Sequence, residues 1–170
     1  LEGLDGSGTT TVGRSLVEAL GSEGSVLLTC EPTSGAVGQL IRQILKGEVS
    51  ALPQTVAYLY AADRLEHLYH GHDSVTAILE RGNLVVTDRY LFSSLAYQSV
   101  DCGFDFVLGL NESFPLPRFL FFLDIDPSVA EERMSQRDSR EIYEHLGFQK
   151  QVRSFYRRAL DHFTGLGMVI

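Results

Sequence analysis

Close to the start of the chain, Gly3-Leu4-Asp5-Gly6-Ser7-Gly8-Thr9-Thr10-Thr11 places three glycines among small hydroxyl side chains. Glycine reaches backbone conformations closed to other residues, so successive N–H groups can turn toward one anion. A helix opening at the end of such a loop adds the positive end of its dipole. The spacing is that of a phosphate-binding loop, G-x-x-x-x-G-K-[ST], met here at Gly3, Gly8 and Thr10. Thr10 is placed to ligate Mg²⁺. Thr9 stands where the lysine belongs: it can hydrogen-bond, but it brings no charge to the β- and γ-phosphates of a nucleotide. The plain alternative is a Gly-Ser turn between a strand and a helix that binds nothing.

Other residues could meet a second phosphate. Asp88 and Arg89 close the apolar run Leu84-Val85-Val86, at the carboxyl end of a predicted parallel strand, where open α/β sheets bind ligands. An arginine there can bridge two phosphates and neutralise charge as a phosphoryl group passes between them. Tyr60 and Arg64 are four apart in a helical stretch and share a face, and so do Ser94 and Gln98. Arg42, in Ile41-Arg42-Gln43, is a further cation. As plain structure these would be a surface salt bridge, a buried tyrosine beside an exposed arginine and a solvated helix charge.

The elements that must position these groups alternate between two periodicities. Strands are expected near Leu1–Glu2, over 25–30, 83–88 and 118–124, with a last one starting at Gly167. Helices are expected over about 9–21, 35–46, 53–81, 90–112, 127–135 and 142–164. The alternation predicts an α/β domain: a three-layer P-loop fold with a parallel five-stranded sheet and helices on both faces. Runs such as Phe119-Leu120-Phe121-Phe122-Leu123 suit strands buried on both faces. One domain over 1–170 is expected. Because the sequence starts and stops inside strands, the native protein is expected to extend past both ends.

Composition sets the outer bounds. With 170 residues, 44% hydrophobic and 21% charged, the chain suffices for one globular core. No apolar run approaches the ~18 residues of a membrane span. Cys30 and Cys102 lack metal-ligand spacing, and without a secretion signal they read as reduced thiols in a cytoplasmic protein. A net charge of −8 argues against nucleic acid as partner, since a long phosphate backbone needs a basic surface. A mononucleotide, met locally by a few arginines and backbone N–H groups, remains open.

Five segments in order, Gly3-Leu4-Asp5-Gly6-Ser7-Gly8, Glu31-Pro32-Thr33, Tyr60-Ala61-Ala62-Asp63-Arg64, Asp88-Arg89-Tyr90 and Ser93-Ser94-Leu95-Ala96-Tyr97-Gln98, closely resemble thymidylate kinase along nearly the whole chain. The resemblance implies phosphoryl transfer from ATP to dTMP, giving ADP and dTDP, with Mg²⁺. It implies an ATP phosphate site of Gly3, Asp5, Gly6, Ser7, Gly8, Thr9, Thr10 and Thr11. Asp5, near the sugar 3′-hydroxyl, would lie beside Thr10 and Asp88 on the metal side. Arg42 would hold the acceptor phosphate, and Arg89 would bridge. Tyr60, where the family usually has Phe, would stack on thymine, with Arg64, Ser94 and Gln98 at the base. Tyr97 would crowd the sugar 2′ position. Ser7 is not arginine, so the sequence resembles the kind whose polar lid, about 135–144, carries the catalytic arginine: Arg137 or Arg140, with Arg133 in support. The family is usually dimeric, and Phe92, Leu95 and Phe106 would serve either such an interface or the core. The rivals are another deoxynucleotide or deoxynucleoside kinase, and a degenerate nucleotide binder suggested by Thr9.

Overall fold

A computed structural model describes residues 1–21, 25–135 and 146–165. The first βα unit runs from β1 (Glu2–Gly3) through the glycine-rich loop into α1 (Thr9–Leu20), followed by β2 (Val26–Cys30). Next come α2 (Ala36–Leu45), α3 (Pro53–Tyr69), α4 (Val75–Glu80) and β3 (Leu84–Asp88). The chain continues through α5 (Leu91–Tyr97), α6 (Ser99–Cys102) and α7 (Phe104–Asn111) to β4 (Phe122–Leu123), and then α8 (Pro127–Ser135) and α9 (Leu146–Phe163).

β1 pairs with β4 and β2 with β3, both in parallel. Leu1 joins the two pairs: its N–H donates to Thr87 O (2.8 Å), and its carbonyl accepts from Arg89 N–H (2.9 Å). The resulting order is β2-β3-β1-β4. Both strands whose tips carry the candidate residues, β1 and β3, therefore lie side by side in the middle. α1 leads from β1 to one edge, while the chain after β3 returns to the other, which makes this gap the switch point where such sheets bind ligands.

Successive residues of a strand face opposite sides. A Cβ on Gly13 of α1 would lie 3.1 Å from Leu1, whereas the next residue, Glu2, meets Ser93 of α5 and Tyr156 of α9. Helices thus cover both faces, as predicted. The main core lies on the Glu2 side, where Phe92, Leu95, Val152 and Tyr156 are fully enclosed.

Three expectations need correction. The helix predicted over 53–81 breaks after Tyr69, where Gly71 adopts φ 78° and Ser74 caps α4 by accepting from Ala77 N–H. That over 90–112 becomes three helices, with Gly103 at φ 84° at the second break. The apolar strands are not buried on both faces among the described residues: Phe119, Phe121 and Leu84 are each more than half exposed. Phe92 and Leu95 belong to the core and not to an interface, whereas Phe106 is exposed and packs edge-on against exposed Tyr58. The strand expected from Gly167 lies outside the described residues.

Candidate active site

The loop after β1 is shaped by its glycines. Gly6 and Gly8 have φ of 80° and 96°, conformations that side chains disfavour. Gly8 is the N-cap of α1 and offers no side-chain acceptor, so the first-turn N–H groups of that helix lack a side-chain cap. Uncapped amides at a helix N-terminus, with the positive end of its dipole, make a favourable setting for an anion. Thr9 is buried at the start of α1 and Thr10 is exposed, its hydroxyl donating to Asp88 Oδ2 at 2.5 Å. The other carboxylate oxygen, Asp88 Oδ1, is buried and accepts from no protein group among the described residues.

Arg89 follows directly, and its φ of 71° makes it the one non-glycine among the described residues in the left-handed region. That conformation costs about 1–3 kcal/mol and persists where the surroundings over-determine it. Here the side chain donates to Asp5 Oδ1 (2.5 Å), Gly3 O (3.0 Å), Ser93 Oγ (3.2 Å) and Tyr156 Oη (3.3 Å). It also lies over the Tyr97 ring, 5.1 Å from its centre. Burial alone would weaken the charged form, but Tyr97, Asp5, Tyr156 and Glu2 together hold the guanidinium pKa well above its ordinary value. Arg89 is a fixed cation facing the loop.

Behind it, burial raises the carboxyl pKa of Glu2, which accepts from Tyr90 N–H, Ser93 Oγ–H and the Tyr156 hydroxyl. Tyr97 Oη accepts the backbone N–H of Asp5 at 2.9 Å, which ties the acceptor-side helix α5 to the loop. Gln149 of α9 donates to Asp5 Oδ2 at 3.2 Å.

On the acceptor side, α3 clamps Glu31-Pro32-Thr33. Asp63 accepts from Thr33 N–H (2.7 Å) and Thr33 Oγ–H (2.6 Å), while the next residue, Arg64, grips Glu31 through Nε (2.9 Å) and Nη2 (2.7 Å). Arg64 also donates to Ser94 Oγ (3.0 Å) and to Asn111 Oδ1. Arg42 donates to Pro32 O. Gln98 is buried, and its Oε1 accepts from no group among the described residues.

A single cleft of about 630 Å³ joins the two sides. Asp5, Gly6, Gly8, Thr9, Thr10, Thr11, Asp88 and Arg89 line it on the loop side, and Arg42, Tyr60, Arg64, Ser94, Tyr97 and Gln98 on the other. Of the other predicted residues, Gly3 and Ser7 lie beneath the loop, buried. Arg133 reaches the loop from α8, donating to Gly6 O at 3.2 Å. Arg137 and Arg140 lie outside the described residues. Sequence reasoning missed Glu2, Asn111, Gln149 and Tyr156, because a lone polar residue on an apolar face gives no sign of its partner. For Glu2 the sign was a carboxylate in a buried strand, which needs a partner.

Comparison with known proteins agrees with this arrangement. The thymidylate kinase family model matches residues 1–169. A thymidylate kinase of Leptospira borgpetersenii is 38% identical over 169 residues, covering 96% of this chain and 80% of the relative. Provisionally named thymidylate kinases of Treponema pallidum and Methanococcus vannielii are 39% and 38% identical, over 91% and 94% of this chain and 74% and 76% of theirs. Matched over residues 1–169 by that family's model, the chain belongs to the thymidylate kinase family.

Proposed function

We propose that the chain transfers the γ-phosphoryl group of ATP to dTMP, releasing ADP and dTDP. The observation that carries this reading is Arg89, held between the uncapped amides of α1 and the acceptor-side groups of one continuous cleft. Little covalent chemistry is asked of the protein in such a transfer; alignment and charge neutralisation supply most of the rate. The loop amides hold the donor phosphates. Arg89 bridges the γ-phosphate and the acceptor phosphate, and Arg42 holds the latter from α2. Asp5 faces the sugar 3′-hydroxyl.

The residues present also fit a divalent cation. Thr10 Oγ1 and Asp88 form the hydroxyl–carboxylate pair of a Mg²⁺ site, and Asp88 Oδ1 lacks a protein partner among the described residues. Bound there with ATP, Mg²⁺ would neutralise charge on the phosphates. With Thr9 in place of lysine, the remaining positive charge comes from Arg133 and from Arg137 or Arg140 of the lid.

The base site has a definite polarity. A guanidinium carries five N–H donors. Four of those on Arg64 are engaged by protein: Nε and one Nη2 by Glu31, the other Nη2 by Ser94 and one Nη1 by Asn111. Among the described residues one Nη1–H is left to donate, and Gln98 Oε1 is left to accept. Thymine offers the complement, an O4 acceptor beside an N3–H donor; cytosine reverses it. Tyr60 supplies the stacking face, and Tyr97 excludes the 2′-hydroxyl.

Two structural proposals accompany this reading. One is that the parallel sheet has five strands, one more than the four of the described residues. The other is that a homodimer forms over the exposed Tyr58–Phe106 face of α3 and α7. The enzymatic reading is tested by ADP release with dTMP, dUMP, dCMP and thymidine as acceptors. Release with dTMP far above the other three supports it; preference for thymidine points to a nucleoside kinase, and no release to a nucleotide binder.

A further inference from the structure

The Arg64 side chain is almost wholly buried at the wall of the cleft, its guanidinium lying over the rings of Tyr90 (5.1 Å) and Phe114 (5.6 Å). What fixes its rotation is Glu31, which meets it side-on through Oε2. Glu31 is itself held by its second oxygen: Oε1 faces His67 Nδ1 at 3.0 Å. A carboxylate only accepts, so Nδ1 carries the proton and donates. The opposite ring nitrogen, Nε2, lies 2.7 Å from Thr29 Oγ1; in the neutral ring it accepts, and the threonine hydroxyl donates. His67 sits one turn beyond Arg64 on α3 and Thr29 near the end of β2, so the relay ties the base-reading helix to the sheet.

From this chain of contacts we infer that His67, oriented by Thr29, is a specificity-determining positioning residue. It locks Glu31, Glu31 locks the Arg64 fork, and the lock leaves one Nη1–H uncommitted among the described residues on a side chain that lines the cleft. His67 reaches no substrate atom itself and acts only through Arg64. Without it Glu31 can turn about its last bond, the fork loses its fixed partner, and its spare N–H no longer points to one place. Discrimination between a 4-oxo and a 4-amino pyrimidine should then fall, because the hydrogen bond from Arg64, one of the two that read the ring beside Gln98, loses its fixed direction. The inference rests on Arg64 being the group that reads the base.

The test compares isosteres. The amide nitrogen of asparagine reaches where Nδ1 stands, and that of glutamine reaches where Nε2 stands. His67→Asn therefore keeps the donor to Glu31, whereas His67→Gln gives it up. In purified full-length chain, measure kcat/KM for dTMP and for dCMP, KM for ATP, and the melting temperature. The expected result is a dTMP-over-dCMP ratio close to the parent's in His67→Asn and about tenfold lower in His67→Gln, with KM for ATP unchanged in both. Thr29→Val, which leaves the ring and removes only the hydroxyl, should give a smaller loss in the same ratio; it carries the test if the His67 variants do not fold. Equal ratios in His67→Asn and His67→Gln, or an unchanged ratio in Thr29→Val, overturn the inference. Arg64→Lys separates the two layers: if it leaves the ratio intact, base reading by Arg64 is wrong, whereas a collapse there without change in the other variants removes only the relay.

Discussion

Tyr156→Phe deletes one oxygen from a fully enclosed polar node. In the parent that oxygen lies 2.7 Å from Ser93 Oγ, 3.0 Å from Gly3 O, 3.2 Å from Glu2 Oε2 and 3.3 Å from Arg89 Nη1. A hydroxyl has one proton and two lone pairs, so at most about three of those contacts are made at once. Arg89 would keep Asp5, Gly3 O and Ser93, and Glu2 would keep Tyr90 N–H and Ser93. The net loss is then one buried neutral hydrogen bond and one weakened charged one, about 1–3 kcal/mol. For a chain of this size each kcal/mol is worth roughly 2–4 °C in Tm. Burial pushes the phenol pKa well above its usual value, so the hydroxyl stays protonated and the loss should be constant from about pH 6 to 9. Thermal melts at several pH values measure it. With Arg89 less tightly held, turnover should fall about tenfold while KM for dTMP changes little. A Tm and a kcat both equal to the parent's would show that the node does not position Arg89, and the reasoning would fail.

Tyr97→Phe should retain selection against the ribonucleotide yet lower kcat severalfold, since it removes the acceptor for the Asp5 N–H; Tyr97→Ala should relax the sugar selection, and assays with dTMP and its ribose analogue read both. Gly38→Ala should destabilise by several kcal/mol or abolish folding, because the new Cβ would come within 2.1 Å of Thr33 O; urea melts measure this, and a parent-like midpoint would refute it. Arg137→Ala or Arg140→Ala should nearly abolish turnover, and adding Thr9→Lys should restore part of it, because the deficit is one of charge. If both single variants turn over like the parent, the lid supplies no such charge. The hydrogen bond from Arg153 holds the Asp124 carboxyl below its usual range against the opposing effect of partial burial, with Arg157 in support. A depressed folded pKa gives stability that is present above the unfolded value and lost as pH falls through the folded one. Asp124→Asn should therefore be modestly less stable than the parent at neutral pH, and the difference should vanish as pH falls through the lowered folded value, beneath the ordinary carboxylate range, and shrink in high salt.

Much of the site was legible in the sequence because it is built from local patterns. The loop glycines announce their own backbone, and an i, i+4 pair such as Ser94 and Gln98 must share a helix face wherever the helix goes. The alternation of strands and helices announced an α/β domain with parallel strands, but the adjacency of β1 and β3 rests on the contacts of Leu1 with Thr87 and Arg89, 86 and 88 positions away. What was not legible depends on distant pairing. Arg64 read as a free base-reading arginine, but four of its five donors are spent on Glu31, Ser94 and Asn111, residues 30 to 47 positions away. Tyr156 and Glu2 are 154 positions apart, and no periodicity links them. The helix breaks at Gly71 and Gly103 were marked by glycine, yet the flanking apolar pattern runs through both without a change of period. The left-handed turn at Arg89 had no signal, since a non-glycine residue adopts it only where its neighbours compel it.

The central claim is that one cleft passes a phosphoryl group from ATP to dTMP, and a ³¹P NMR time course with the two nucleotides and Mg²⁺ tests it most directly. The account predicts that ADP and dTDP resonances grow one for one, with no inorganic phosphate beyond a trace, and that Arg89→Ala suppresses both together. ADP accompanied by inorganic phosphate but no dTDP, or ATP left intact beside bound dTMP, would contradict it.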